Sequence, residues 1–155
     1  MFILDSRVMS TGNSPQINLE PIRTPCIGVC STGIGDSVCR GCKRFSHEVI
    51  DWNGYTQEEK RFVDKRLSGF LSQACALKCT VTDRELLKWQ LDTQQVRYAA
   101  DHDEYCWLFQ LLRAGAGQIK DASKYGLRAH GEWADLTLLQ LRDQIDEDAW
   151  VPTTA

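Results

Sequence analysis

No run of apolar residues in this 155-residue chain approaches the roughly 18 needed to cross a bilayer. The opening Met1-Phe2-Ile3-Leu4 is cut short by Asp5 and Arg7 before a signal-peptide core forms. The sequence therefore reads as cytoplasmic, with no membrane association. Histidine is scarce: three residues, widely scattered, make neither a triad nor a paired-histidine zinc motif. Excess positive charge is missing too. Lys and Arg number 18 against 21 Asp and Glu, and a net charge of −3 argues against a protein that coats nucleic acid by bulk electrostatics. There is no glycine-rich phosphate loop and no nucleophile elbow, which points away from an enzyme. No alternating apolar pattern extends beyond a few residues, and no internal repeat is visible, so a large sheet or a solenoid is not expected.

What remains is ordinary globular material with one anomaly. Hydrophobic residues make up 43% and charged residues 25%, enough for a core in one compact domain or a small module attached to a larger one. The anomaly is seven cysteines. In a reducing compartment such a number signals metal or redox chemistry more than disulfides, and an odd count prevents complete internal pairing.

Three zones follow. Residues 1–23 are polar and aperiodic and read as a flexible leader, within which Met9 is an alternative start to Met1. Residues 24–67 form a four-cysteine metal module, whose part 24–55 holds the four cysteines and several glycines and suits loops wrapped around a metal, with helices from Thr56 onward. Residues 68–155 form a helical extension. Thr56 with Glu59 fits a capping box, followed by Phe62, Leu67, Phe70 and Leu71 at helical spacing. Thr82 with Glu85 repeats the signature, and Leu87, Leu91 and Tyr98 continue a second helix. A third contains Trp107, Leu108, Leu111 and Leu112 and ends near Gly115 and Gly117. The last runs from about Trp133 to Ile145, with Leu138, Leu141 and Ile145 on one face. The fold class is mainly α: an irregular four-cysteine metal-binding module followed by a small helical domain.

The cysteines of the module are spaced Cys26-x3-Cys30-x8-Cys39-x2-Cys42. Two close pairs joined by a short loop surround one ion from two sides. Thiolates are soft anionic ligands that suit Zn2+ or the irons of an iron–sulfur cluster. Cys39-Arg40-Gly41-Cys42 looks like a metal knuckle, in which Gly41 takes the backbone angles of a tight turn; Gly28 sits equivalently in the first pair. Pro25 stiffens the approach to Cys26. Arg40, Lys43 and Arg44 bring positive charge beside the sulfurs. A closed all-sulfur site points to a structural or electron-transfer role rather than hydrolysis.

The run Thr24-Pro25-Cys26-Ile27-Gly28-Val29-Cys30, then Cys39-Arg40-Gly41-Cys42-Lys43-Arg44, then Glu48, Ile50, Trp52 and Tyr55, resembles the domain-of-unknown-function 1289 family. These are small bacterial proteins commonly labelled predicted iron–sulfur proteins. The resemblance covers about residues 24–67. It implies that Cys26, Cys30, Cys39 and Cys42 are the ligands, that the segment 56–67 closes the module, and that an iron–sulfur cluster is favoured over Zn2+. It brings no known reaction, and it does not account for the loop 31–38 or the extension after Leu67. The expectation is a metal-binding protein whose helical region docks a protein partner.

Other features carry weaker readings. Cys75 and Cys79 are four apart on an expected helix, as are His102 and Cys106 near another, and together they offer a second metal site. The simpler reading makes the three cysteines small buried hydrophobes, and it is the stronger. Arg40, Lys43, Arg44 and Phe45 combine charge and an aromatic ring as in a zinc knuckle that binds RNA or DNA. Lys60, Arg61, Lys65 and Arg66 extend that charge, although acidic neighbours make the segment equally a solvated face. Trp52 and Tyr55 are expected to pack the module on the helix after Thr56, His47 to be an exposed loop residue, and Trp89, Trp107 and Trp133 to be core.

Overall fold

The four longer helices of this protein start where a short polar side chain takes up backbone N–H groups that the first turn leaves unpaired. The computed structural model describes residues 21–28 and 30–154; the two possible start methionines and nearly all of the expected leader lie outside the described residues. After a short helix α1 (Ser46–Asp51), Thr56 opens α2 (Gln57–Ala76). Its hydroxyl accepts from Glu59 N at 3.1 Å while Glu59 Oε1 accepts from Thr56 N at 2.8 Å, the reciprocal box expected from the sequence. Asp83 caps α3 (Arg84–Thr93), accepting from Leu86 N at 3.0 Å. Asp103 caps α4 (Glu104–Gly115), accepting from Tyr105 N and Cys106 N. Thr137 and Gln140 form a second reciprocal box at α5 (Leu138–Thr154).

Four of these starts and ends differ from the sequence reading. The second helix begins after Asp83 rather than Thr82, because Thr82 N is already donated to Gly126 O at 2.7 Å. It ends at Thr93, where Gln95 adopts φ 59°. Tyr98 is therefore outside α3; its hydroxyl reaches back to Asp92 Oδ1 at 2.7 Å and its ring lies 5.2 Å from that of Trp107. The last helix starts at Leu138 and runs past Ile145 to Thr154, and Trp133 sits in a separate 3₁₀ turn, Gly131–Asp135.

Two short strands join the connections. Cys79–Val81 (β1) pairs antiparallel with Leu127–Ala129 (β2), with Cys79 opposite Ala129 and Val81 opposite Leu127. Cys79 is thus on a strand and shares no helix face with Cys75, which is in α2. The helix ends at Ala76 because the next residues turn into this ladder. Lys78 O then accepts from His130 N at 2.7 Å.

The core lies where α2 packs on α4 and α5, and α3 on α4. Leu87, Leu91, Leu108, Leu111, Leu112, Leu141 and Ile145 fill it, with Trp107 buried among them and its indole N–H donated to Ala99 O at 2.9 Å. On α2 the inward residues are Val63, Ala74 and Cys75, with Leu71 beside them. Phe62, expected on that stripe, is 79% exposed. The helix is turned so that Val63 faces inward, and Phe62, about 100° round the axis from it, points to solvent here. Trp89 likewise faces outward on α3, while Trp133 is half-buried beneath the Lys78 ammonium, 4.8 Å from its ring.

α2 runs without a break through residue 67. Its first half covers the cysteine-rich segment and its second half enters the helical core, so one rigid element connects the two regions. Among the described residues no helix is long and apolar enough to cross a membrane.

Candidate metal centre

The second cysteine pair sits at the tip of a small hairpin. Val38 bridges Phe45 in antiparallel sense, Cys39 N donates to Arg44 O at 2.9 Å, and Lys43 N donates to Cys39 O at 2.8 Å. These bonds fold the six residues from Cys39 to Arg44 back on themselves. The left-handed backbone this requires falls on Lys43, φ 69°, and not on Gly41 as the sequence suggested. Gly28 in the first pair does adopt it, at φ 94°.

The turn buries both knuckle sulfurs, Cys39 at 1% and Cys42 at 7% exposure, and puts them in hydrogen-bonding contact with each other. Burial raises the Cys39 thiol, but backbone amides of Cys42, Ser31 and Gly41 donate to it, and together with the Cys42 thiol they bring its pKa down to about 7. At Cys42 burial prevails and the pKa is raised, although the Arg44 guanidinium opposes it by donating Nε–H to Cys42 Sγ at 3.1 Å. Amide donors aimed at sulfur are what a thiolate ligand needs in its surroundings.

The first pair lies on an extended, exposed arm. Cys26 and Cys30 are both exposed. Gly28 N donates to Cys26 Sγ at 3.4 Å, two residues on, as Gly41 does to Cys39. Cys30 Sγ is 3.0 Å from Thr32 Oγ1. The arm meets the knuckle at Ser31, whose amide donates to Cys39 Sγ and whose hydroxyl accepts from Arg40 N at 2.9 Å. The structure thus brings Cys39 and Cys42 together and leaves Cys26 and Cys30 apart from them. Among the described residues no group of three or more His, Cys, Asp or Glu is placed to hold a metal ion. The donor chemistry of the two knuckle sulfurs fits a thiophilic metal.

Helices α1 and α2 support this hairpin from below. Glu48 is 5% exposed; its carboxylate accepts from Phe45 N at 2.8 Å and receives both Arg66 terminal nitrogens at 2.7 Å. Arg66 also covers the Phe45 ring at 4.7 Å. Trp52 is buried, with Arg44 at 4.9 Å and Lys60 at 5.5 Å from its ring and Tyr55 tilted against it at 6.1 Å. Trp52 and Tyr55 therefore pack the module against α2 as expected. His47 is exposed, on α1 rather than in a loop, and stacked on Phe45.

The basic residues of the knuckle are engaged within the molecule. Lys43 Nζ donates to Arg40 O and pairs with Asp146 Oδ1 of α5 at 2.8 Å. Arg40 pairs with Asp36 at 3.5 Å. Ser31, the Glu48–Arg66 pair and Asp146 escaped the sequence reading. The last is 103 residues from its partner, a separation at which no spacing rule operates.

The second constellation does not assemble. Cys75, Cys79 and Cys106 are buried at 0%, 3% and 2% exposure. Burial pushes Cys75 well up, Cys79 to about 11 and Cys106 to about 12. They are small core residues, as the simpler reading had it. Cys106 Sγ donates to Ser68 O at 3.3 Å, and His102 is turned to Asp64, Nε2 to Oδ2 2.8 Å.

Residues 24–70 match the family described as "Protein of unknown function (DUF1289)", in agreement with the resemblance read from the cysteine motif. Neither a curated protein nor a solved structure matches the chain.

Proposed function

We propose that the chain is a small cytoplasmic metal-binding protein with one centre on Cys26, Cys30, Cys39 and Cys42, carrying an iron–sulfur cluster in preference to Zn2+. The observation that supports this most is the knuckle: two buried sulfurs in mutual contact, supplied with amide N–H groups and a guanidinium. The arm bearing Cys26 and Cys30 closes onto it when metal binds, since metal-binding energy is then also folding energy. An all-thiolate centre has no open ligand position, so its role is structural or electron-transferring. The helical region docks a protein partner.

The rival reading, an RNA- or DNA-binding zinc knuckle, draws less support. Arg44 is 3% exposed and the Lys43 side chain 11%, and both are committed inside the molecule. Phosphate contacts need cations that reach solvent.

The deciding experiment is metal and acid-labile sulfide analysis with a visible spectrum, on full-length protein purified without oxygen and on single serine variants of the four cysteines. Iron with sulfide in the parent, and loss of metal in each variant, is the expected result. One colourless zinc per chain overturns the cluster, and undiminished metal in a variant removes that cysteine from the ligand set.

A further inference from the structure

Burying a guanidinium is costly unless an opposite charge accompanies it. Arg44 is 3% exposed, yet among the described residues no carboxylate pairs with it. Its contacts are the Cys42 sulfur, 3.1 Å from Nε, and the Trp52 ring, 4.9 Å from its central carbon. The neighbouring cations are balanced differently, Lys43 by Asp146 and Arg40 by Asp36.

We infer that Arg44 is a positioning residue of the metal centre, a buried cation held on Trp52 that donates its Nε–H to the Cys42 ligand sulfur and offsets the negative charge of a four-thiolate site. This rests on the proposed four-cysteine centre. Four thiolates around a divalent ion leave net negative charge, and a fixed donor at one sulfur both neutralises part of it and orients the ligand. The direction of the side chain is set before any metal arrives. The hairpin bond from Cys39 N to Arg44 O fixes the backbone, and Trp52, in the 3₁₀ turn Trp52–Gly54 with Tyr55 against it, holds the guanidinium over its ring. A lysine keeps the charge but has no planar fork to stack and no Nε–H at that angle.

The test uses the full-length chain titrated with Co2+, whose thiolate-to-metal absorption reports the sulfurs bound. Arg44→Met is expected to weaken Co2+ binding by about ten- to a hundredfold, with Arg44→Lys between it and the parent. Lys60→Ala, which also removes a cation from over Trp52 but none from a sulfur, is expected to bind as the parent does. Circular dichroism checks the helices of each variant. If Arg44→Met is unfolded, Arg44→Lys decides: weaker binding supports the role and parental binding overturns it. A folded Arg44→Met that binds Co2+ as tightly as the parent overturns the inference while the four-cysteine centre stands. A parent chain that takes up no Co2+ overturns both.

Discussion

Gly126 shows how narrowly a single position is constrained. Its φ is 76°, and a Cβ built there would lie 2.4 Å from Asp83 O. It cannot retreat, because its own carbonyl accepts from Thr82 N at 2.7 Å. Gly126→Ala is therefore expected to cost about 3 kcal/mol, combining left-handed strain with a backbone clash. Gly35, at φ 108° with open space around it, isolates the strain alone, and Gly35→Ala is expected to cost about 1 kcal/mol. Urea unfolding of the two variants measures the difference; equal losses would show that the clash at Asp83 relaxes away. At this scale the pairing of Cys39 with Cys42 was legible, since two cysteines at short spacing in a turn bring their sulfurs together. Gly41 misled because a glycine in a tight turn is permitted, not obliged, to take positive φ, and the hairpin placed that angle at Lys43 instead.

Between elements, the pair joining α1 to α2 governs how the module is held. Burial alone raises the Glu48 carboxyl, but the two Arg66 hydrogen bonds and the Phe45 amide overcome it and hold its pKa below the ordinary 4.5. Because the native pKa is the lower one, the pair contributes its full stability above pH 4.5, and that contribution falls away as the pH drops through the native value. Glu48→Gln leaves the Arg66 guanidinium without its counter-charge and is expected to cost about 3 kcal/mol at neutral pH. Stability of parent and variant followed from pH 7 to pH 3 is expected to converge at the acid end; a constant gap would mean that packing, not charge, is lost. The capping box of α2 and the end of α4 were readable beforehand, since capping and helix-stop signals act within one turn of chain. The phase of α2 was not. Val63 rather than Phe62 faces inward because α4 and α5 set the direction of burial.

For the molecule as a whole, α5 returns the chain to the cysteine-rich segment. Ile145, fully buried, sits in the core, while the next residue, Asp146, reaches Lys43 of the knuckle. These two contacts are of unequal weight. Ile145→Ala is expected to cost about 3 kcal/mol through the cavity it leaves. Asp146→Asn, with its carboxylate 52% exposed, is expected to cost no more than about 1 kcal/mol and to lose that effect at high salt. Thermal unfolding at two salt concentrations separates them, and a large salt-independent loss for Asp146→Asn would show that the bridge rather than the core seats the knuckle.

The sequence alone determined the helical class and the family match of residues 24–70, because both follow from residue type and short spacing. Turn, cap and heptad-scale signals act over a few residues, and thiolate chemistry belongs to the side chain itself. Tertiary structure alone decided which cations stand beside sulfur and which cysteines are buried in the helical region. It sent Lys43 to Asp146 and buried Arg44 on Trp52 against Cys42. It moved Cys79 onto a strand, away from the helix of Cys75. Charge balance and burial depend on what the rest of the chain brings to a point in space, and no local pattern encodes that.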